Sequence, residues 1–499
     1  MKALLMHRDR DFDLQQPLPW NEPALMQDLA LPTLLEAMAG DDKVIFDVAH
    51  RALLTGWGND PETIRYRQAG VQDALANPLA SRELYALTSE AIEGRRRGFF
   101  GVLSRYPSSI LYEASELMQV FAVMLRRLRD AARAHAASFA SEGFCSLFRA
   151  VESELTDDYL ARIGVHLAEL KFKRGTLISA ELGPGNAGRG YVLRHPTKDD
   201  RHWLRRLVER PPSYTFRLAE RDEAGARALS ELRDRGINQV ANMLAQAVDH
   251  IEGFFRMLRA ELAFYIGCLN LQERLVALGE PICFPNPLPA GQLELRARGL
   301  YDPSLALQMQ RRVVGNACDA HGKSLLLMTG ANQGGKSSFL RSLGVAQLMM
   351  QCGMFVAAES FDGEVTPGLF THYKREEDAT LKSGKLDEEL VRLSELVDRL
   401  EPGAMVLFNE SFAATNEREG SEIARQVVSA LRQKRVKVLF VTHLHAFARE
   451  LFAHGVAGVL FLRAERLEDG TRTFRLVEGE PLATSHGKDL YQRIFGSDG

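Results

Sequence analysis

Residues 325–338, LLLMTGANQGGKSS, limit what this chain can fold into more than any other stretch. The apolar run Leu325-Leu326-Leu327-Met328 leads into Gly330-x-x-x-x-Gly335-Lys336-Ser337, and an apolar pattern at helical spacing begins at Phe339-Leu340 and continues through Met350. That order predicts strand, phosphate-binding loop and helix. Gly330, Gly334 and Gly335 can take backbone angles closed to other residues, so successive N–H groups can turn inward around a polyphosphate. The helix start adds partial positive charge. On this reading Gly330, Ala331, Asn332, Gln333, Gly334, Gly335, Lys336, Ser337 and Ser338 cradle the phosphates of ATP. Lys336 reaches the β- and γ-phosphates, and the Ser337 hydroxyl binds Mg²⁺.

Two later apolar runs have the form needed to complete such a site. Met405-Val406-Leu407-Phe408 ends in Asn409-Glu410, a buried strand closing on two polar residues, one helix and two further segments after Lys336. Glu410 is thereby placed to orient and polarise an attacking water. Val438-Leu439-Phe440-Val441 ends in Thr442-His443, where His443 can sense the γ-phosphate through a hydrogen bond to phosphate or water. His445, two residues on, is read as incidental.

Thr329-Gly330-Ala331-Asn332-Gln333-Gly334-Gly335-Lys336-Ser337 resembles the phosphate loop of the MutS family of DNA mismatch-repair ATPases, TGPNMGGKS, with both differences at tolerant positions. The resemblance continues through Gly353-Met354-Phe355-Val356-Ala357-Ala358. Asn409-Glu410 falls where the family has its Asp-Glu pair, so Asn409 stands in place of the aspartate that supports Mg²⁺. Thr442-His443 matches the end of the family's F-A-T-H segment. Val313-Val314-Gly315-Asn316 is similar to the segment that lies against the adenine; Asn316 matches, while the aromatic position is Val313. The helix from Leu386 to Leu396 resembles the element offered across a dimer to the partner's nucleotide, with the family serine falling on Gly384 and Ser383 beside it. Thr484-Ser485-His486-Gly487 is similar to a segment near the end of the family ATPase.

The rest of the chain reads as mainly helical. Residues 1–40 carry Pro17, Pro19, Pro23 and Pro32 and suit an extended lead-in. Apolar residues recur at helical spacing from 44 to 91, and Asp60-Pro61-Glu62-Thr63-Ile64-Arg65-Tyr66-Arg67 resembles a core segment of the family in which an I-x-x-R helix follows a short turn. A long mixed-charge helix is expected around 118–139. The period then changes to short strands at about 175–182, 191–194 and 214–218, before helices return at 224–278. The expected architecture is multidomain: a helical core and lever region at 1–110, a helical clamp-like region at 111–260 with a small β insertion at about 175–220, a returning helix and connector at 261–315, and at 316–499 an α/β phosphate-loop ATPase of the ABC type. The chain looks like a MutS relative without the family's N-terminal mismatch-reading domain or its C-terminal dimer extension.

Composition bounds the functions. With 45% hydrophobic and 25% charged residues it is ordinary globular protein. No apolar run approaches the roughly 18 residues that span a bilayer, and the N-terminus lacks a signal-peptide pattern, so a cytoplasmic protein without a membrane partner is expected. Five scattered cysteines, none in a C-x-x-C pair, suggest neither disulfides nor zinc. A net charge of −3 excludes a uniformly basic coat for nucleic acid but leaves local basic faces open. Arginine and lysine cluster at 95–97, 126–129, 171–174 and 201–210. Singly these suit solvated helix faces; together, on the arms of a clamp, they could contact phosphates without reading sequence. The leading expectation is a homodimeric, ATP-switched clamp on irregular or branched DNA, serving repair or recombination, with slow ATP hydrolysis. An RNA- or ribosome-binding ATPase and an ATP-gated protein scaffold remain open. A transporter ATPase lacks support because no LSGGQ signature is present, and no nuclease motif stands out.

Overall fold

The computed structural model describes residues 1–98, 106–173, 175–195, 215, 217–219, 221–375, 384–467 and 471–481, with the side chains of 95–98 and 186 excepted. The arginine side chains at 95–97, Arg174, the basic run 201–210, Ser383 and residues 484–487 therefore lie outside the described residues. The chain is multidomain and largely helical, with three separate sheets among the described residues. It divides into two compact units. Among the described residues, no helix is long and apolar enough to cross a membrane.

The first unit comprises Met1–Ala3, Glu83–Ala137 and Leu147–Arg259. Its long helix Pro107–His135 begins on a proline, which suits a first turn whose N–H would be unpaired in any case. Phe121 from that helix stacks on Phe255 at 5.9 Å between ring centroids. An antiparallel hairpin, Leu177–Leu182 with Gly188–Arg194, turns at Pro184–Asn186. Ile178 of this hairpin lies where a side chain on Gly236 would stand, so the hairpin packs on the helix Glu223–Ala277. The strand expected at 214–218 falls partly outside the described residues; Thr215, Arg217 and Leu218 are not in a strand.

The second unit comprises Leu4–Arg82, Ser138–Ser146 and Ala260–Gly499. Among the described residues its main sheet has six strands in the order 472–478, 459–466, 325–329, 437–441, 405–409 and 369–373. All neighbours are parallel except the antiparallel edge strand Arg472–Glu478. Parallel strands buried on both faces read as continuous apolar runs, and Leu325, Leu326, Leu327 and Met328 have no exposed surface. Helices Lys336–Gln351, Glu417–Gln433 and His445–Ala453 follow the central strands. A second, four-stranded sheet joins Asn286–Leu288, Ser360–Glu364, Leu295–Leu300 and Asn316–Asp319.

The lead-in is less extended than its prolines suggest. Helices occupy Glu22–Asp28 and Leu31–Ala39, with Pro23 and Pro32 inside their first turns, where a missing N–H costs nothing. Only residues up to about 20 are irregular, and they thread into the unit: Glu261 accepts hydrogen bonds from the Leu5 and Phe12 amides at 2.6 and 2.7 Å. The helix Pro61–Ala76 starts at the turn marked by Asp60-Pro61, Asp60 accepting from the Thr63 amide at 2.7 Å.

Candidate functional site

The site forms where the central strands end together. Register pairs Met328 with Val441, and Val441 with Asn409, so residues 329, 442 and 410 emerge at one edge of the sheet. The strand Lys437–Val441 sits between the loop strand and the strand ending in Asn409. This adjacency brings residues more than seventy positions apart into contact.

The loop itself is held open by backbone geometry. Gly330 (φ 110°) and Gly335 (φ 90°) lie in the left-handed region, and a side chain on Gly335 would meet the Phe474 carbonyl at 3.0 Å. Gly335 caps the helix Lys336–Gln351 with no side chain covering its first amides, which point into the loop. The Lys336 ammonium is buried and donates to the carbonyls of Gly330 at 2.9 Å and Ala331 at 2.8 Å. Burial pulls it down to about 8, against the raising influence of Glu410. Asn332 and Ser337 are exposed, Gly334 is buried against Ala464, and Gln333 accepts from Arg472 at 2.6 Å.

Ser337 and Asn409 meet directly: the Ser337 hydroxyl donates to Asn409 Oδ1 at 2.9 Å. Glu410, at the unusual φ of 56°, places its carboxylate 2.9 Å from His443 Nε2. That hydrogen bond is the main reason the Glu410 carboxyl sits below its usual range, with partial burial opposing it and the charges of His443 and Lys336 assisting. The structure thus brings Lys336, Ser337, Asn409, Glu410 and His443 to one place. His445 stands apart, at the start of its own helix beside Glu417 and Arg418.

A cavity of about 520 Å³ opens beside the loop, lined among others by Tyr301, Val313, Asn316, Gly335, Ser338 and Phe474. Its size suits a drug-sized or nucleoside-sized ligand. Asn316 borders it, yet both ends of its amide are engaged: Nδ2 donates to the Phe474 carbonyl at 3.2 Å and Oδ1 accepts from the Leu476 amide at 2.7 Å. Asn316 therefore fastens the edge strand that carries Phe474. Phe474 is nearly half exposed at the cavity and supplies an aromatic face where Val313 offers none. Nothing local in the sequence marks Phe474 or Arg472; only pairing of the edge strand brings them here.

Oxygen donors from a hydroxyl and an amide, beside a helix start, fit Mg²⁺ that takes its remaining ligands from phosphate and water. Among the described residues, no group of three or more His, Cys, Asp or Glu side chains is placed to hold a metal ion by itself. In the first unit the cluster at 126–129 is largely engaged: Arg127 pairs with Glu90 at 2.8 Å and buried Arg129 with Asp157 at 2.6 Å. Lys171 and Lys173 are exposed.

Comparison with known proteins gives two family models that match the chain. The family model described as MutS2 N-terminal domain matches residues 59–278, and the one described as MutS domain V matches residues 326–490. Endonuclease MutS2 of Thermus thermophilus is 28% identical over 266 residues, covering 51% of this chain and 32% of that protein. Endonuclease MutS2 of Streptococcus equi subsp. equi is 25% identical over 270 residues, 53% of this chain and 33% of the relative. DNA mismatch repair protein MutS of Streptococcus mutans is 24% identical over 247 residues, 47% and 29% respectively. The matches span about a third of each relative's length. With one family model on residues 59–278 and the other on residues 326–490, which carry the six-stranded sheet, the chain belongs to the MutS family.

Proposed function

We propose that the protein is an ATP-dependent switch that binds Mg²⁺-ATP at residues 330–338, hydrolyses it slowly and, as a dimer, acts on DNA. The observation that carries this reading is the meeting of Ser337 with Asn409, and of Glu410 with His443, around the Lys336 loop. Gly330 to Ser338 would wrap the triphosphate, with Lys336 turning from its two carbonyls to the β- and γ-phosphates. The adenine would enter the 520 Å³ cavity against Phe474. Mg²⁺ held by Ser337, with Asn409 behind it, would neutralise charge between the β- and γ-phosphates. Glu410 would accept a proton from the attacking water, and His443, hydrogen-bonded to that carboxylate, would fix its orientation.

Residues 316–499 are assigned to this ATPase, 261–315 to a returning helix and connector, 111–260 to a clamp-like region and 1–110 to a core and lever. The DNA part of the reading comes from the relatives named for mismatch repair, and two of the three arginines at 126–129 are already bound to carboxylates. "Endonuclease" in the name of the MutS2 relatives is theirs; no nuclease role is assigned here. Calorimetry of Mg²⁺-ATP binding tests the first part: Lys336→Ala should lose about 1.5 to 3 kcal/mol, more than tenfold in affinity. Filter binding to duplex, junction and single-stranded DNA and to RNA, with and without ATP at two salt concentrations, tests the second. Unchanged ATP binding by Lys336→Ala overturns the site, and preference for RNA over every DNA overturns the DNA assignment.

A further inference from the structure

Directly after Asn409 the chain makes a tight turn that no glycine relieves. Glu410 (φ 56°) and Phe412 (φ 65°) are both left-handed, and Ser411 between them is completely buried. Residues with a side chain are disfavoured in that region, so the surroundings must hold the turn in place. They do so with residues the ATP site does not otherwise use. Glu389, buried on the helix Lys385–Val397, accepts a hydrogen bond from the Phe412 amide at 2.8 Å. His372, buried on the neighbouring strand Leu369–Tyr373, lies with Nε2 3.1 Å from the Glu389 carbonyl. That nitrogen carries the ring proton, since a carbonyl can only accept. Nδ1 then accepts from the Ser411 hydroxyl at 2.7 Å, whose one proton also faces the His372 carbonyl at 2.7 Å. The imidazole packs against both Phe408 and Phe412, with centroids 5.5 and 5.9 Å away. On the far side a side chain at Gly420 would collide with the Phe412 carbonyl at 2.4 Å, so the turn is seated against the helix Glu417–Gln433 as well.

We infer that Glu389, His372 and Ser411 are positioning residues for Glu410: by fastening the peptides on its C-terminal side they set where its carboxylate stands, and they tie that position to the docking of the helix Lys385–Val397. The inference rests on the ATPase reading above. Glu410 Oε1 is already 2.9 Å from His443, so rotation of the 410–412 turn would break that contact and carry the carboxylate away from the Lys336 loop. The loop itself shares no hydrogen bond with Glu389, His372 or Ser411 among those described, so nucleotide binding need not change. The helix Lys385–Val397 also presents Leu390 and Val391 to solvent, and anything that shifts it would be felt at Glu410 through Glu389.

The test separates turnover from binding in the full chain. Glu389→Ala removes the acceptor for the Phe412 amide, Glu389→Gln keeps an oxygen of the same reach, and Ser411→Ala deletes a single hydroxyl. Single-turnover ATP hydrolysis should fall about tenfold in Glu389→Ala and severalfold in Ser411→Ala. Glu389→Gln should stay within about threefold of wild type, and the affinity of all three for a fluorescent ATP analogue should change by less than about twofold. Hydrogen exchange at the Phe412 amide, read by mass spectrometry, should speed up in Glu389→Ala and be restored in Glu389→Gln. Normal hydrolysis in Glu389→Ala with faster exchange at Phe412 would overturn the positioning role and leave the ATPase intact. Loss of affinity in step with rate in both Glu389→Ala and Ser411→Ala would reduce the residues to general structural support and overturn it too. A wild-type protein that binds ATP but never turns it over would overturn the ATPase reading itself, and the positioning role with it.

Discussion

The buried Lys336 ammonium makes a prediction whose sign is not the intuitive one. In an unfolded chain a lysine titrates near 10.5, whereas here burial brings it to about 8. The folded state thus holds this proton less readily than the unfolded state. Below pH 8 the full cost is present, about 3.5 kcal/mol at roughly 1.4 kcal/mol per pH unit, a net figure for the charged form in its folded surroundings. Between pH 8 and 10.5 the unfolded chain binds the extra proton, so this contribution to stability rises with pH and the cost disappears. Replacing Lys336 by methionine keeps an unbranched apolar stem and removes the charge. Without nucleotide, Lys336→Met should therefore be at least as stable as wild type at pH 7. Wild type should then gain about 2 kcal/mol on the variant between pH 8 and 9.5. Addition of Mg²⁺-ATP should reverse the order at pH 7, because only wild type gains the stabilisation that ligand binding supplies. Denaturant unfolding of the two proteins at several pH values, with and without Mg²⁺-ATP, measures all of this, and other titrating groups cancel in the comparison. Stability curves that run parallel from pH 7.5 to 9.5 would refute the buried, charged lysine.

Other outcomes follow from the same site. Asn409→Asp should strengthen the support of Mg²⁺, since a charged acceptor makes roughly twice as strong a hydrogen bond as a neutral one; ATPase assays over a Mg²⁺ series should show a higher rate or a lower requirement, and curves identical to wild type would mean the amide is neutral to function. Glu410→Gln should abolish turnover, a loss of about 10²-fold or more, while ATP still binds in calorimetry; retained turnover would remove Glu410 from the chemistry. Phe474→Ala should weaken ATP by about 1 to 3 kcal/mol and leave binding of inorganic triphosphate unchanged; equal loss for both ligands would place the base elsewhere. Sedimentation with Mg²⁺-ATP should show dimers, and monomers at high protein concentration would remove the helix Lys385–Val397 from a shared site.

What the sequence made legible divides by the range of the interactions involved. The strand, loop and helix at 325–351 were readable because the apolar run, the glycine spacing and the helical period are all local. The family resemblance already sets Ser337 and Asn409 at one Mg²⁺, but their 2.9 Å contact depends on strand 437–441 lying between their strands, which composition does not encode. Phe474 and Arg472 reach the site only because an antiparallel edge strand folds back beside Asn316. Glu389, His372 and Ser411 were invisible for another reason: buried polar residues look in sequence like any surface Glu, His or Ser, and only their enclosure gives them a task. Pro23 and Pro32 misled because proline breaks a helix interior yet is welcome in a first turn, and the two cases share one letter.

The far end of the helix Lys336–Gln351 is firmly fixed, and this gives any movement at the loop before it somewhere to go. At its last turn the Gln351 carbonyl accepts from Asn59 Nδ2 at 2.9 Å, and the Cys352 carbonyl accepts from Arg67 at 3.2 Å. Arg67 is buried and, among the described residues, makes no direct salt bridge, although the nearby charge of Glu261 favours its protonated form; it also donates to the Met6 carbonyl at 2.8 Å and lies 2.6 Å from His7. It is the arginine of the I-x-x-R pattern, carried by the helix Pro61–Ala76. A buried guanidinium without a directly paired carboxylate is expensive, so its hydrogen bonds to backbone carbonyls cannot be surrendered one at a time without large cost. Gly353 (φ 88°) is required at this junction, since any side chain there would meet Arg67 at 2.4 Å. The loop helix, the helix Pro61–Ala76 and the threaded N-terminal segment must then move together or not at all. Arg67→Lys keeps the charge and loses the fork of donors, and should cost about 2 to 4 kcal/mol in unfolding free energy. If the three segments are coupled, ATP should also protect amides of residues 4–12 from hydrogen exchange in wild type but not in Arg67→Lys. Protection confined to residues 330–340 would show that the loop helix acts on the site alone.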